Sequence, residues 1–328
     1  MVRVMVESCP SSLGALESGA QSENHHPLGR LFSCEEVADL SLANEETTAA
    51  FAPKVVASAS GISTGIHEKS FGYYAPSPLQ RLLISLANRT SLGRGRIRWW
   101  TSVLIEQLKT GPVDVERLGL KVRLHHYGLN TGDKKMLLYI KGYDREEITY
   151  LKHNMSGNFH FVDIGANAGF YSFAVKSSCP GARIVAFEPN PVLVKRLTYN
   201  VRANNLKDFS VIAMAVGATF GTSPYFTDYG SLIGQGESIN VPVVPLYDSL
   251  TAAGLHRVDA IKIDIEGFED RVLFPYFKTA PCRMWPRIII IEHCLRRLWN
   301  NDCLGLCSSL GYRFLFSNRV NTVLKRHQ

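Results

Sequence analysis

The chain has 328 residues, of which 45% are hydrophobic and 20% charged, the composition of an ordinary globular protein. It shows no apolar run long enough to span a bilayer and no apolar leader, so we expect a cytoplasmic protein without a transmembrane segment. Its seven cysteines are an odd number scattered along the chain, which predicts reduced thiols rather than a disulfide framework.

Charge and composition set residues 1–75 apart from the rest of the chain. The net charge is +7, yet residues 1–75 hold four basic and nine acidic side chains, so residues 76–328 carry a net charge of +12. A basic body favours acidic partners such as phosphorylated or uronic sugars, nucleic acid or a membrane surface, although a basic solvated surface is an equally simple explanation. Residues 1–75 lack sustained periodicity and predict a disordered or loosely structured extension.

The sequence of residues 76–155 predicts helices and one β-hairpin. We call this segment, which precedes the main domain, the lead-in. The predicted elements are helices from Ser77-Pro78 onward, over Trp99–Leu108 and over Arg145–Leu151, and strands over Leu120–Leu124 and Met136–Ile140. Proline suits the first turn of a helix, which places the first helix start. Turn residues at 128–132 separate the two apolar runs, so we expect those runs to pair as a hairpin.

Residues 156–328 alternate strands with helices. The predicted strands are Phe159–Ile164, Arg183–Phe187, Ser210–Ala215, Ala260–Asp264, Arg287–Glu292, Tyr312–Phe316 and Arg319–Leu324. The predicted helices are Ala168–Lys176, Pro191–Asn204, Glu269–Lys278 and one within Asn301–Leu310. This alternation predicts an α/β domain with a mostly parallel, doubly wound, Rossmann-like sheet. Only Ser317-Asn318 separates the last two strands, which predicts an antiparallel hairpin at the sheet edge.

An apolar strand that runs into a glycine turn and a helix places a ligand at the carboxyl end of that strand. The residues predicted to surround this ligand are Asp163, Gly165, Ala166, Asn167 and Gly169. Gly165 allows a close approach of the backbone, and Gly169 allows the helix to pack against the strand. Asp163 can accept hydrogen bonds at the same place.

Two further strand ends complete a predicted nucleotide-type cofactor site. Glu188 lies 25 residues beyond Asp163, close to the spacing of an acid that binds ribose hydroxyls. Small apolar residues after the third strand, Ala215 and Val216, are suited to flank an adenine ring. Each signal is weak alone, but their order within about sixty residues predicts one binding site.

The glycine turn favours S-adenosylmethionine over a dinucleotide. Its spacing is not Gly-x-Gly-x-x-Gly, because three residues separate Gly165 from Gly169. A carboxylate at Asp163 would also repel a pyrophosphate, whereas it suits a cofactor that carries an ammonium group.

Three segments together resemble the FkbM family of methyltransferases. They are Val162-Asp163-Ile164-Gly165-Ala166-Asn167-x-Gly169, Phe187-Glu188-Pro189-Asn190-Pro191 and Ile261-Lys262-Ile263-Asp264-Ile265-Glu266-Gly267-x-Glu269. The resemblance extends from about Leu120 to the C-terminus. It implies a class I methyltransferase fold, S-adenosylmethionine as cofactor, and O-methylation of a hydroxyl on a sugar, glycolipid or secondary metabolite. The predicted terminal hairpin is also typical of methyltransferases rather than dehydrogenases.

A hydroxyl acceptor needs its proton removed as the methyl group is transferred, which requires a base near the methyl group. Asp264 and Glu266 follow the fourth strand of the domain on the same side of the backbone, so they are the first candidates. His293, after the fifth strand, is a further candidate base. Alternatively, the two acids only cap the turn after Gly267, and His293 is structural.

Three other possibilities stay open at this stage. Asp264, Glu292 and His293 are a possible ligand set for a divalent cation, although their spacing is not diagnostic and the favoured site contains no metal. The basic body and Arg96–Trp100 suit a nucleic-acid methyltransferase, which we consider less favoured than a small-molecule or glycan acceptor. A non-catalytic module that keeps only the cofactor fold is the third. The sequence does not predict the oligomeric state.

Overall fold

The structure, a computed structural model, describes residues 69–125, 130–226 and 238–327. Residues 1–68 of the predicted loose extension lie outside the described residues, so that expectation stays a prediction. The lead-in contains α1 (Pro78–Arg89), α2 (Gly95–Leu108), β1 (Val113–Arg117), β2 (Leu120–Leu124), α3 (Thr131–Leu138) and α4 (Arg145–Asn154).

The predicted start of the first helix is confirmed by its cap. Ser77 Oγ accepts from the Gln80 amide at 3.2 Å, and Gln80 Oε1 accepts from the Ser77 amide at 3.0 Å, which forms a capping box before Pro78. The second helix begins at Gly95, four residues before the predicted Trp99. Arg96 and Arg98 are therefore part of this helix.

The predicted hairpin of the lead-in is wrong. Strand β2 has the predicted bounds, but it pairs with β1, through a turn in which Leu118 and Gly119 both have positive φ. The run predicted as a strand at Met136–Ile140 lies largely in α3, whose N-cap Asn130 accepts from the Asp133 amide at 2.9 Å. Met136, Leu137 and Leu138 are all fully buried, and a short buried apolar run does not distinguish a strand from a helix.

In the described residues from 160 to 326, five α-helices and seven strands form the main α/β fold, and three more strands form a smaller sheet. They are β3 (His160–Ile164), α5 (Phe170–Ser178), β4 (Arg183–Phe187), α6 (Pro191–Ala203), β5 (Phe209–Ile212), β6 (Ala215–Gly217), β7 (Gly221–Phe226), β8 (Ser238–Pro245), α7 (Leu246–Ala252), β9 (Ala260–Ile263), α8 (Asp270–Thr279), β10 (Ile288–Glu292), α9 (Cys303–Ser309), β11 (Tyr312–Ser317) and β12 (Asn321–Arg326).

The main sheet confirms the predicted fold class. Its order is β11-β12-β10-β9-β3-β4-β5, and the five strands from β10 to β5 are parallel. Strand β12 is antiparallel to both β10 and β11, so the chain ends in the predicted edge hairpin. Apolar side chains pack on both faces: Ile288 and Ile290 lie in one core cluster, Ile289 and Ile291 in the other. Burial on both faces explains why β10 is an uninterrupted apolar run.

A second sheet of order β6-β8-β7 was not predicted. The run predicted as one strand at Ser210–Ala215 divides into β5, in the main sheet, and β6, which pairs in parallel with β8. Helix α7 follows β8 directly. The small sheet carries the chain from the third main strand toward β9.

Two further findings concern the cysteines and the lengths of the helices. Among the described residues, Cys179, Cys282, Cys294, Cys303 and Cys307 form no disulfide with one another, and Cys303 and Cys307 are fully buried. Within the three described segments, no helix is both long and apolar enough to cross a membrane.

Candidate functional site

A cavity of about 620 Å³ opens at the carboxyl ends of β3, β4 and β9. From β3 the sheet grows through β4 to β5 on one side, and the chain then returns to place β9 on the other side of β3. Open α/β sheets bind ligands at such a reversal of strand order, because the connections there leave in opposite directions. The topology therefore places a binding site where the glycine turn was found.

The glycine turn lies in this cavity wall with the geometry that its sequence predicts. Gly165 has φ +80°, and a Cβ there would overlap the main-chain oxygen of Asp264. Gly169 has φ +86° and does not line the cavity; a Cβ at this position would lie 2.5 Å from Leu197 Cδ1. Gly165 thus allows two strand ends to meet, while Gly169 allows α5 to pack against α6.

Asp163 is almost fully buried at the end of β3 and lines the cavity. Its Oδ2 accepts from the amide and the hydroxyl of Ser172, at 3.1 and 2.6 Å, so the first turns of α5 fix the carboxylate. Burial raises the pKa of Asp163 to about 6, against the opposing effect of the Ser172 hydrogen bonds and the Lys262 cation. A cationic ligand in the cavity would favour the charged form.

Glu188 ends β4 with both carboxylate oxygens held by the backbone. Oε2 accepts from the Asn167 amide at 2.8 Å, and Oε1 accepts from the Asn190 amide at 2.9 Å. Each oxygen keeps a second lone pair for a hydroxyl donor in the cavity. Burial raises the pKa of Glu188 to about 7, which the two amide bonds oppose.

The apolar part of the cavity wall comes from the small sheet and α6. Ala215 and Val216 line it as predicted, together with Met214, Leu193 and Tyr225. Tyr225, on β7, was not predicted, because the sequence analysis did not identify that strand. Flat apolar surfaces of this kind suit an aromatic ring such as adenine.

Lys262 and Asp264 form an ion pair at the end of β9. Lys262 is 2% exposed, and its Nζ lies 3.1 Å from Asp264 Oδ2, whose side chain is 39% exposed. Burial lowers the pKa of Lys262, but the carboxylates of Asp264, Asp144 and Asp163 outweigh it and raise the pKa above its ordinary value. The lysine is therefore a fixed positive charge inside the cavity.

Glu269, rather than the acid pair, stabilises the turn after β9. Its Oε1 accepts from the amides of Ile265 and Gly267 at 3.0 and 3.3 Å, and its Oε2 accepts from Trp299 Nε1 at 2.6 Å. The alternative in which Asp264 and Glu266 only cap this turn is thus wrong. Both acids line the cavity instead.

Glu266 lies in the cavity wall in a left-handed backbone conformation, with φ +57°. The residue is exposed to solvent although it lines the cavity. Partial burial, followed by the charges of Asp264 and Glu292, raises the pKa of Glu266 to about 7. A carboxylate with this pKa can exchange a proton near neutral pH.

Three further cavity residues come from the lead-in and from α5 and were not predicted. Tyr171 donates from its hydroxyl to Asp144 Oδ2 at 2.8 Å, and Lys262 Nζ lies 5.4 Å from the centre of the Tyr171 ring. The Tyr143 ring stacks on Phe170 with centroids 3.9 Å apart. No sequence signal pointed to these residues, because Asp144 has φ +43° in a turn between α3 and α4 that has no motif.

His293 does not lie in the cavity wall, which corrects the expectation that it faces the crevice. Its backbone amide donates to Val320, and its Nδ1 is 3.1 Å from Thr322 Oγ1, so the residue continues the contact with β12. Burial and the nearby Arg296 lower the pKa of His293. In the described part of the chain, Asp264, Glu292 and His293 are not arranged as a metal-binding cluster.

A second cavity of about 1060 Å³ adjoins the first. Both are lined by Tyr143, Asp144 and Phe170, so these three residues separate the two cavities. Five basic side chains line the second cavity: Arg89, Arg94, Lys141, Arg145 and Lys152. Three acidic side chains, Asp144, Glu146 and Glu147, line it as well, so the larger cavity is a second compartment with an excess of two positive charges next to the Lys262–Asp264 pair.

A comparison with known protein families matches part of this chain. Residues 163–314 match the profile of the methyltransferase FkbM domain. This range begins at Asp163 and contains Glu188, Lys262, Asp264 and Glu266. The resemblance found in the sequence is confirmed.

Two curated methyltransferases are similar to this chain. Methyltransferase sdnD from Sordaria araneosa is 28% identical over 158 residues, which cover 37% of this chain and 61% of the relative. The 31-O-demethyl-FK506 methyltransferase FkbM from Streptomyces tacrolimicus is 28% identical over 178 residues, which cover 42% of this chain and 66% of the relative. The chain therefore matches less than two thirds of the length of either relative. Among solved structures, a tRNA m1G37 methyltransferase from M. jannaschii aligns with TM-score 0.38 at 13% identity, over 72% of this chain and 69% of that chain.

Proposed function

Because residues 163–314 form a methyltransferase FkbM domain, we propose that the chain transfers the methyl group of S-adenosylmethionine to a hydroxyl group on a sugar, glycolipid or secondary metabolite. The observation that carries this proposal is the pair of backbone-fixed carboxylates, Asp163 and Glu188, on either side of the glycine turn. The name of the Streptomyces tacrolimicus relative, a 31-O-demethyl-FK506 methyltransferase, supports oxygen as the accepting atom.

The residues of the first cavity fit S-adenosylmethionine. Glu188 offers acceptor lone pairs to ribose hydroxyls, and Asp163 offers a negative charge near the amino-acid end of the cofactor. Met214, Ala215 and Val216 offer an apolar wall for the adenine. When bound, the cofactor supplies an electrophilic methyl group for in-line displacement, a reaction in which positioning contributes much of the rate.

The residues at the end of β9 suit the accepting hydroxyl. Asp264 is partly exposed to the cavity and can accept the hydrogen bond of the hydroxyl, while the Lys262 cation compensates the negative charge. Glu266, with a pKa of about 7, can take up the proton that the hydroxyl loses. We assign Asp264 as the group that orients the acceptor and Glu266 as its proton acceptor.

The second cavity is the proposed entrance for the acceptor. It adjoins the first cavity at Asp144 and Tyr143, close to the Lys262–Asp264 pair. Its basic side chains favour acceptors that carry a negatively charged group, such as uronic or phosphorylated sugars. This agrees with the net positive charge of residues 76–328.

The test is transfer of isotope-labelled methyl from S-adenosylmethionine to matched hydroxyl compounds, such as glucose, glucuronate and glucose 6-phosphate, and to a glycolipid and a polyketide alcohol. We expect labelled products that survive mild alkali, as ethers do and esters do not. Asp264→Asn and Glu266→Gln should each lower the rate by about 10²-fold or more. Asp270→Asn is the control, because Asp270 lies at the start of α8 and does not line the cavity.

Two results would contradict the proposal. Label that is released by mild alkali would assign the methyl group to a carboxylate. A chain that binds S-adenosylhomocysteine but methylates no hydroxyl compound, and whose Asp264→Asn variant binds equally well, would instead support a module that keeps the cofactor fold without this chemistry.

A further inference from the structure

The α1–α2 hairpin holds most of the large apolar side chains that the described residues expose. Thirteen such side chains are exposed in the three described segments, and eight of them lie on α1 or α2. They are Leu79, Leu82, Leu86, Ile97, Trp99, Trp100, Leu104 and Leu108. Scattered exposed hydrophobic residues are normal, but a concentration on two adjacent helices indicates an interaction surface.

Packing among the described residues leaves this surface uncovered. The hairpin packs on the protein through other residues, namely Gln80, Ile84 and Ala87 on α1 and Thr101, Ser102 and Ile105 on α2. Gln80 Nε2, in the first turn of α1, donates to Ile105 O in the last turn of α2 at 2.8 Å, so the helices are antiparallel. Each helix repeats exposed apolar residues three and four positions apart, which places them along one side of that helix.

The same hairpin is strongly basic. It contains five arginines and one acid, Glu106, a net charge of +4 over residues 78–108. Arg81, Arg89, Arg94 and Arg96 are exposed. Arg94 and the half-buried Arg98 both lie over the Tyr139 ring, each at 5.9 Å from its centre. The hairpin therefore exposes both apolar and cationic side chains.

We propose that the α1–α2 hairpin docks on the surface of a membrane that contains anionic phospholipids. Leucine and isoleucine side chains gain free energy by entering the acyl boundary, and arginines gain it at anionic headgroups. The exposed pair Trp99 and Trp100, 46% and 66% exposed with ring centroids 4.5 Å apart, suits the depth between the two.

Other occupants fit this surface less well. A second copy of the hairpin would bring two +4 surfaces together, which electrostatic repulsion opposes. Nucleic acid would satisfy the arginines and stack on the tryptophans, but it offers no apolar phase to the row of Leu79, Leu82 and Leu86. A bilayer surface satisfies both kinds of side chain.

The test is sedimentation of the full chain with vesicles of phosphatidylcholine that contain phosphatidylserine, compared with vesicles of phosphatidylcholine alone. We expect binding to the anionic vesicles that weakens as salt is raised. Arg81→Gln/Arg96→Gln should weaken it by about 25-fold, since each arginine near an anionic surface contributes about fivefold, and neither arginine lines a cavity of the proposed active site. Trp100→Ser should also weaken binding and reduce the blue shift of tryptophan fluorescence on mixing with vesicles, with Trp99 retaining the remainder.

Arg313→Gln and Phe314→Ser are matched controls, because both residues are exposed on β11, outside the hairpin. Both variants should bind vesicles as the unmodified chain does. Binding no stronger to anionic than to neutral vesicles would overturn the proposal, as would equal losses in the β11 controls. Two further results, each without vesicle binding, would also overturn the proposal. One is a dimer that Trp100→Ser dissociates, and the other is a mobility shift of a single-stranded oligonucleotide. Binding of S-adenosylhomocysteine, which the hairpin variants should keep, distinguishes these outcomes from a failure of the proposed enzymatic function.

Discussion

The two ends of the site are built in different ways. At the cofactor end, Asp163 and Glu188 are held by main-chain amides of the residues that follow them on α5 and around the glycine turn. At the proposed acceptor end, Lys262 interacts with Asp264 and Asp144 mainly through electrostatic attraction. A site fixed by local backbone bonds keeps its shape from one relative to another, whereas a site made from distant side chains can change with its acceptor.

The largest effect that separates the two ends is expected from Gly165→Ala. The new Cβ would overlap the main chain at Asp264 in a backbone of φ +80°, so β3 and β9 would have to separate. We expect a loss of about 3 kcal/mol or more in unfolding free energy and no measurable binding of S-adenosylhomocysteine.

Gly111→Ala is the matched control for this substitution. Gly111 also has a positive φ, of +98°, but nothing lies within 4 Å of its Cβ position. It should lose only the strain of the backbone, about 1 kcal/mol, and keep full binding. Equal losses in the two variants would show that strain, and not the close approach of the strands, makes Gly165 necessary.

Lys262→Met should affect the acceptor end and spare the cofactor end. Removing the buried cation leaves the carboxylates of Asp264 and Asp144 without compensation, so we expect a loss of about 3 kcal/mol in denaturant unfolding and of about 10²-fold in methyl transfer. Binding of S-adenosylhomocysteine should change little. Lys176→Met is the control, since Lys176 is also buried but bonds to Ala182 O outside the cavity. A variant that loses cofactor binding as strongly as methyl transfer would contradict the separation of the two ends.

The sequence predicts the proposed cofactor end of the site better than the proposed acceptor end. Gly165, Asn167 and Glu188 could be identified because consecutive residues make the cofactor end and the main sheet is an uninterrupted apolar pattern. Asp144 and Tyr171 could not, because they meet only after α4 packs against α5. His293 was expected near the acceptor because it follows the fifth strand, but its amide bonds to Val320 and its ring to Thr322, outside the cavity wall.

The pH dependence of stability should be reduced by Glu292→Gln. Burial, followed by the charge of Asp264, raises the pKa of Glu292 to about 7 from its ordinary 4.5, and Oε2 has no hydrogen-bond partner within the described segments. A raised acid pKa means that the folded state binds more protons, so this contribution is present below about pH 4.5 and lost as the pH rises through about 7. The variant should be more stable than the unmodified chain above pH 7, by about 1–2 kcal/mol.

Thermal unfolding between pH 4.5 and 8 measures this effect. Glu116→Gln, at an exposed position of β1, is the control and should leave the profile unchanged. A profile that Glu292→Gln does not flatten would mean that the unpartnered carboxyl group does not titrate in this range.

The smallest effect is expected from His293→Ala. The ring bonds to Thr322 outside the cavity wall, so the rate of methyl transfer should fall by less than about threefold, with the same pH dependence. Initial rates with a labelled cofactor measure this, with Asp264→Asn as the reference for loss at the acceptor end. A fall of 10²-fold or more would restore His293 as the base and remove that role from Glu266.

Calorimetric titration with S-adenosylhomocysteine tests the central claim most directly. The unmodified chain should bind it with micromolar affinity, and Asp163→Asn and Glu188→Gln should each weaken binding by about tenfold or more, since hydrogen bonds to a charged group contribute about 1.5–3 kcal/mol. Asp270→Asn, which also removes a buried carboxylate, should bind normally. A folded, unmodified chain that does not bind S-adenosylhomocysteine, or that binds it equally in all four forms, would contradict a cofactor site between β3 and β4.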